Sequence, residues 1–338
     1  MRLSVLDQSP IRSGATPADA IAESIELARA CDRLGYHRYW LAEHHASGGL
    51  AGAAPEILIG HIAQATQNIR VGSGGVMLSH YSALKVAETF RMLETLHPGR
   101  IDLGVGRAPG SDQKTMQALR AGPGSASIDY YPRQVLDTIG FMENRLEDDH
   151  PFRGIIAQPA GETVPEVWML GSSMDSAAYA AHFGLPFSFA HFITPRGGDM
   201  VAEAYRQRFR PSERYPEPRL SVGVFALAAD TEEKAEYLVK SRNLWLVRLM
   251  KGELGPFPTP EEADAYTYGP HDLEMLEANR GRSIAGTPDK VARQLSELRD
   301  TYQADELVVV TISHDFEARV RSYELLAREF GLQAKAAA

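Results

Sequence analysis

The chain has 338 residues, of which 44% are hydrophobic and 23% charged, a balance that fits a soluble globular protein and excludes a disordered one. Its 35 Lys and Arg stand against 44 Asp and Glu for a formal charge of −9, with no basic run to offset it, so nucleic acid and anionic membrane surfaces are excluded as favourable partners. Cys31 is the one cysteine, which rules out an intrachain disulfide.

The first residues, Met1 to Gln8, have neither a basic lead nor a small-residue cleavage site, and no window reaches the roughly 18 uninterrupted apolar residues of a membrane span. A cytoplasmic protein is therefore expected.

Short β-branched or Leu-rich runs alternate with amphipathic helical patterns along the chain, the mark of repeated βα units and a parallel sheet. The first predicted strand is Leu3 to Leu6, followed by a helix over Pro17 to Leu34 whose apolar stripe (Ile21, Ile25, Ala28, Cys31) makes Cys31 a core residue. Strands then follow at Tyr39 to Ala42, Ile69 to Leu78 and Ile101 to Val105, with helices at about Ala54 to Ala65, Ala83 to Leu96 and Arg133 to Leu146. The second half repeats the pattern: strands at Val167 to Leu170, Phe187 to Ala190, Ser221 to Ala228 and Glu306 to Thr311, with helices at Ser173 to His182, Gly198 to Phe209, Glu232 to Met250 and Phe316 to Phe330. Eight such units favour a closed (β/α)8 barrel over a doubly wound sheet, whose glycine-rich fingerprint is missing after the first strand.

Two stretches interrupt the alternation, about 109–132 and 251–283. Insertions in such barrels serve as lids on the active face or as plain surface excursions. After the second, Gly286-Thr287-Pro288 precedes apolar residues at helical spacing, so Thr287 is predicted to cap an extra helix.

Working residues of a (β/α)8 barrel lie at the C-terminal strand ends and in the loops that follow. The second strand runs into Glu43-His44-His45, where strand alternation would let only one imidazole face the mouth. That pattern suits a proton-transfer histidine oriented by a carboxylate, a metal site lacking identifiable further ligands, or two ordinary hydrogen-bonded histidines. The third strand contains Gly72-Ser73-Gly74-Gly75; glycines there fit a flat ligand laid against the backbone, or a bulge. Leu103 to Gly110 ends the fourth strand, but Pro109 stands where a dinucleotide fingerprint needs its third glycine, which leaves Arg107 as an anion-holding or solvent-facing cation. At the fifth strand, Gly171-Ser172-Ser173 opens a helix, offering a phosphate seat or simply a helix cap.

These residues, in this order and spacing, together with Ala180 to Pro186, resemble the flavin-dependent, luciferase-like monooxygenase family. A bacterial subgroup is closer still, through Asp7-Gln8-Ser9-Pro10, Tyr39 to His45 and Gly106 to Asp112. The resemblance covers nearly the whole chain and implies one TIM-barrel domain over residues 1–338. It implies FMN at the barrel mouth, the ring against Gly74 and Gly75 across a non-prolyl cis peptide, and the phosphate at Arg107, Ser172 and Ser173, with Glu43, Ser73 and Gly171 completing the cofactor site. It further implies His44 as the catalytic base, the second insertion as a mobile shield against water, no metal, and a homodimer formed through the early helices. Gly106 stands where luciferases carry a reactive cysteine, which argues against aldehyde-driven light emission. The activity implied is a two-component monooxygenase using O2, a small organic substrate and reduced FMN, with NAD(P)H entering through a flavin reductase. A deazaflavin-dependent dehydrogenase on the same scaffold and a non-catalytic flavin-binding protein are the alternatives, since substrate does not follow from fold.

Overall fold

The computed structural model describes residues 1–107, 112–119, 128–253 and 255–333. Nine strands appear among them: β1 (Arg2–Asp7), β2 (Arg38–Leu41), β3 (Arg70–Met77), β4 (Ile101–Gly106), β5 (Glu166–Gly171), β6 (Phe187–Ala190), β7 (Leu220–Ala228), β8 (Ser283–Gly286) and β9 (Glu306–Val310). The helices are α1 (Pro17–Leu34), α2 (Pro55–Ala65), α3 (Ala83–Leu96), α4 (Gln113–Leu119), α5 (Tyr131–Glu143), α6 (Met174–His182), α7 (Gly198–Arg208), α8 (Glu232–Met250), α9 (Pro260–Ala265), α10 (Pro270–Ala278), α11 (Pro288–Tyr302) and α12 (Phe316–Glu329).

The strands pair in the order β6-β5-β4-β3-β2-β1-β9-β7, and a β6–β7 pairing closes the ring into the eight-stranded parallel barrel expected from the alternation. Strand β8 was not expected; Phe225 pairs with Val310 on one side and Ser283 on the other, so β8 extends the edge of β7 that β6 uses lower down. It escaped the sequence reading because its four residues lie at the end of a Gly- and charge-rich stretch with no apolar run of its own.

Strand alternation divides the core. Leu3, Val5, Tyr39, Leu41, Leu307 and Val309 point outward under the helices, whereas Leu6, Trp40, Trp168, Val308 and Val310 fill the barrel interior. Cys31 is fully buried in the outer layer, and burial pushes its thiol pKa up. At the lower end the interior is charged: Arg38 Nη1 reaches Asp102 at 2.8 Å and Glu166 at 3.1 Å, Arg38 Nε reaches Glu306 at 3.0 Å, and Trp40 Nε1 donates to Asp102 at 2.9 Å.

Helix starts follow local chemistry. Thr16 caps α1 through a capping box with Asp19, ahead of Pro17 at the first helical position. Thr287 does stand at the start of α11, but its hydroxyl caps nothing; its N–H instead donates to Glu232 at 3.3 Å.

The first insertion is described only at α4 and around residues 128–130; positions 108–111 of the Gly106 to Asp112 motif lie outside the described residues. The second insertion forms α9, α10 and β8. It is joined to α8 by Lys240–Asp264 at 2.7 Å, Arg248–Glu262 at 3.3 Å and Lys251–Asp272 at 2.8 Å, and to the first barrel loop by the Phe257 N–H donating to the Ile11 carbonyl at 2.7 Å. No helix among the described residues is long and apolar enough to cross a membrane.

Candidate active site

Two adjoining cavities open at the C-terminal ends of the strands. The first, of about 670 Å³, has Leu6, Trp40 and Val308 as its apolar floor, the Gly74–Gly75 edge on one side, and Arg107 with Gly171 to Ser173 at its far end. The second, of about 400 Å³, is lined by Gln8, His44, Arg242, Trp245 and Arg282. Phe192 and Ile193 line both and form the partition between them.

The polar end of the first cavity is built by the β5–α6 junction. Ser173 is the N-cap of α6 and accepts from the Ser176 N–H at 3.3 Å, while the Ser172 hydroxyl has no hydrogen-bond partner among the described residues. A side chain at Gly171 would place its Cβ 2.2 Å from Ser176 Oγ, so glycine is required for the strand to pass the first turn of the helix. Free backbone donors and the helix dipole favour an anion at this point. Across from it, Arg107 is 43% exposed, and its one ion pair among the described residues is a 3.7 Å contact with Asp175, itself 70% exposed, so its guanidinium is available to a ligand.

The peptide between Gly74 and Gly75 is cis. A Cβ on Gly74 would lie 2.7 Å from Leu6 Cδ1 and 3.0 Å from Trp40 Cβ, and one on Gly75 would lie 2.7 Å from the Gly104 carbonyl oxygen. Close packing against the barrel core thus already requires both glycines, whatever lies above them.

Two of the expected cofactor residues do not reach the cavity. Ser73 is fully buried, its hydroxyl donating to the Gly104 carbonyl at 2.9 Å and accepting the Gly104 N–H at 3.1 Å; it staples β3 to β4. Glu43 is also buried. It accepts the Met77 N–H at 3.0 Å and the Tyr81 hydroxyl at 2.7 Å, and pairs with His45 Nε2 at 2.7 Å. Its carboxylate therefore orients His45 rather than His44, and fixes Met77, which does line the first cavity.

Strand β2 ends at Leu41, so pleat alternation does not govern Glu43 to His45, and both imidazoles touch the second cavity. His45 is tied to the Glu43 carboxylate. His44 Nδ1 is buried without a partner, and burial first, then the neighbouring His45, lowers the His44 pKa to about 4. At neutral pH His44 is therefore an uncharged imidazole lining a partly apolar chamber, able to accept a proton. No group of three His, Cys, Asp or Glu side chains arranged to hold a metal occurs among the described residues.

Sequence reasoning missed Gln8, Phe192, Arg242, Trp245 and Arg282. One signal was present: Leu238, Arg242 and Leu246 recur at helical spacing, which puts a cation in the inward stripe of α8. Gln8 follows directly on the end of β1, where barrel chemistry concentrates.

A family model described as luciferase-like monooxygenase matches residues 1–304. The N-acetyl-S-alkylcysteine monooxygenase of Bacillus subtilis (strain 168) is 38% identical over 330 residues, covering 97% of each chain. The solved structure of apo-MsnO8 is 41% identical and superposes with a TM-score of 0.91 over 99% of each chain. The oxygenating constituent of 3,6-diketocamphane monooxygenase from Pseudomonas putida, solved with FMN, superposes with a TM-score of 0.69 at 18% identity over 97% of each chain, a likeness of fold alone.

Proposed function

Because the chain belongs to the luciferase-like monooxygenase family, we propose that it is an FMN-dependent monooxygenase, supplied with reduced FMN by a separate NAD(P)H:flavin reductase, that oxygenates a small organic substrate. The observation that carries this reading is the pair of joined cavities. One offers a flat apolar floor ending in an anion seat, and the other holds a neutral, unpartnered histidine.

The first cavity fits FMN. Arg107 and the α6 N-terminus with Ser172 and Ser173 would take the phosphate, and Leu6, Trp40 and Val308 would support the ring beside Gly74 and Gly75. Reduced flavin supplies the activation of O2; the chain supplies orientation, proton handling and exclusion of water. His44 is the proton acceptor, kept neutral by burial and by His45, and Glu43 positions His45 behind it. Phe192, Ile193 and Trp245 present apolar surface around the junction of the cavities.

Titration with FMN and riboflavin tests the reading. Arg107→Ala should weaken FMN by about ten- to a hundredfold, the value of a charge-assisted contact, and leave riboflavin almost unchanged. Equal loss for both flavins would move the phosphate elsewhere. His44→Ala should bind FMN within a few-fold of the parent yet turn over about 10²–10⁴ more slowly. Product formation from N-acetyl-S-alkylcysteines, the compounds named for the B. subtilis relative, is the first assay to run.

A further inference from the structure

The second cavity is lined by two guanidiniums that form no ion pair among the described residues. Arg242, on α8, lies with its guanidinium 4.7 Å from the centre of the Phe225 ring and takes part in no ion pair within 4.0 Å among the described residues. Arg282, in the turn before β8, has its Nε buried without a partner, and it too takes part in no such ion pair. The two cations act on each other: burial first, and then Arg282, lower the Arg242 pKa to about 10, which still leaves it charged at neutral pH. Elsewhere the buried Arg38 and Arg319 meet carboxylates and the buried Arg91 meets three backbone carbonyls; here Glu253 and Asp112, both exposed at the cavity rim, pair with neither guanidinium.

The rest of the lining is polar at one side and apolar at the other. Gln8 Oε1 and His44 Nδ1 are buried without partners, and Leu50, Phe192, Trp245, Leu246 and Ile312 make up the apolar wall. Buried charges are ordinarily paired, because an unpaired one forfeits its hydration with no return. Two unpaired guanidiniums facing one chamber are complementary to an oxyanion, and their planar forks suit a carboxylate or sulfonate better than a single point charge would.

We propose that the second cavity recognises its substrate by an anionic end group: the substrate is a small organic acid whose carboxylate or sulfonate lies between Arg242 and Arg282 and whose apolar body lies against Trp245, Leu246 and Phe192, within reach of His44. This inference rests on the monooxygenase reading for what happens to the substrate, but not for its binding. Arg242 and Arg282 are binding residues here, and no chemical step is assigned to them.

The isosteric series hexanoate, hexane-1-sulfonate, hexan-1-ol and hexylammonium tests it in equilibrium titrations of the full chain, read by calorimetry and by Trp245 fluorescence. Trp245 lines the second cavity and Trp40 the first, so the part of the fluorescence response that Trp245→Phe removes reports on the second cavity. One or both acids should bind at least tenfold more tightly than the alcohol, with hexylammonium weakest, and the tighter acid identifies the end group. Arg282→Met and Arg242→Met should each remove most of that preference while leaving hexan-1-ol unchanged, and Arg242→Lys should restore part of it.

Equal binding of acid and alcohol, or acid binding untouched by either Met variant, overturns the proposal. FMN titrated into the same preparations separates the two readings. FMN binding without acid preference leaves the flavin reading and removes this one; acid preference without FMN binding does the reverse.

Discussion

At the lower end of the barrel Arg38 is met by Asp102, Glu166 and Glu306 at 2.8, 3.1 and 3.0 Å, whereas at the mouth Arg242 and Arg282 have no carboxylate within 4.0 Å among the described residues. Both ends set arginine against an aromatic ring, the buried Arg38 4.7 Å from Trp168 and the half-buried Arg242 4.7 Å from Phe225. The pKa directions separate them. Burial alone would lower Arg38, but its three carboxylates raise it, while burial and a second cation lower Arg242. One end is satisfied by the fold itself; at the other the two guanidiniums are left without a carboxylate among the described residues. Arg38 opens strand β2, and Arg242 and Arg282 line a cavity at the C-terminal strand ends, which agrees with the division of labour in such barrels, stability below and chemistry above.

The comparison breaks first at Arg38. Arg38→Met leaves the buried Glu306 without its cation and Asp102 with Arg70 alone, and should destabilise the chain by about 3–5 kcal/mol in denaturant unfolding; a loss below about 1 kcal/mol would mean that the lower cluster is not a structural lock. The same substitution at the mouth should have the opposite sign. Arg242→Met removes a desolvated charge and the repulsion from Arg282, so the ligand-free protein should gain about 1–3 kcal/mol. Destabilisation of that size instead would show Arg242 to be paired within the fold.

A pH series sharpens the contrast at His44. Its folded pKa of about 4 lies below the ordinary value of 6.5, so the unfolded chain binds the proton more readily and stability falls as pH drops from about 6.5 towards 4. His37, lowered to about 4 mainly by burial at the other end of β2, acts with the same sign. His44→Gln should therefore flatten only part of the acid limb, by about 3 kcal/mol at pH 4 relative to pH 7. An unchanged slope would place His44 in water.

The smallest expected effect is at Gly106, where an added Cβ would find its nearest neighbour, Met77 Sδ, 4.0 Å away. Gly106→Ala should change stability by less than about 0.5 kcal/mol, while shifting the flavin dissociation constant because the position lines the first cavity. Thermal denaturation and a flavin titration on the same sample decide it. Gly74→Ala should instead destabilise the fold, by about 1–3 kcal/mol, through Leu6 and Trp40. That outcome distinguishes a glycine required by packing from one that merely faces a ligand.

Much of the frame was readable from the chain alone. The alternation of β-branched runs with amphipathic helices, the glycine run in β3 and the serines that open α6 are all local patterns, and local hydrogen bonding and side-chain periodicity determine them. From those patterns came the eight barrel strands, Arg107 and the β5–α6 junction at one mouth, and His44 beside them. What the chain alone could not supply was partnership. Glu43 stands next to His44 in sequence yet turns to His45, Met77 and Tyr81, because β2 ends at Leu41 and the backbone leaves its pleat there. Ser73 lies within the glycine run yet staples two strands. Arg242 and Arg282 come from a helix and from an insertion that sequence reading kept apart, and the pairing of β8 with β7 beside α8 brings them to one chamber. The physical reason is that residue type and spacing decide which element forms, whereas the charge that a buried arginine meets depends on which distant strand or helix the closed barrel sets against it.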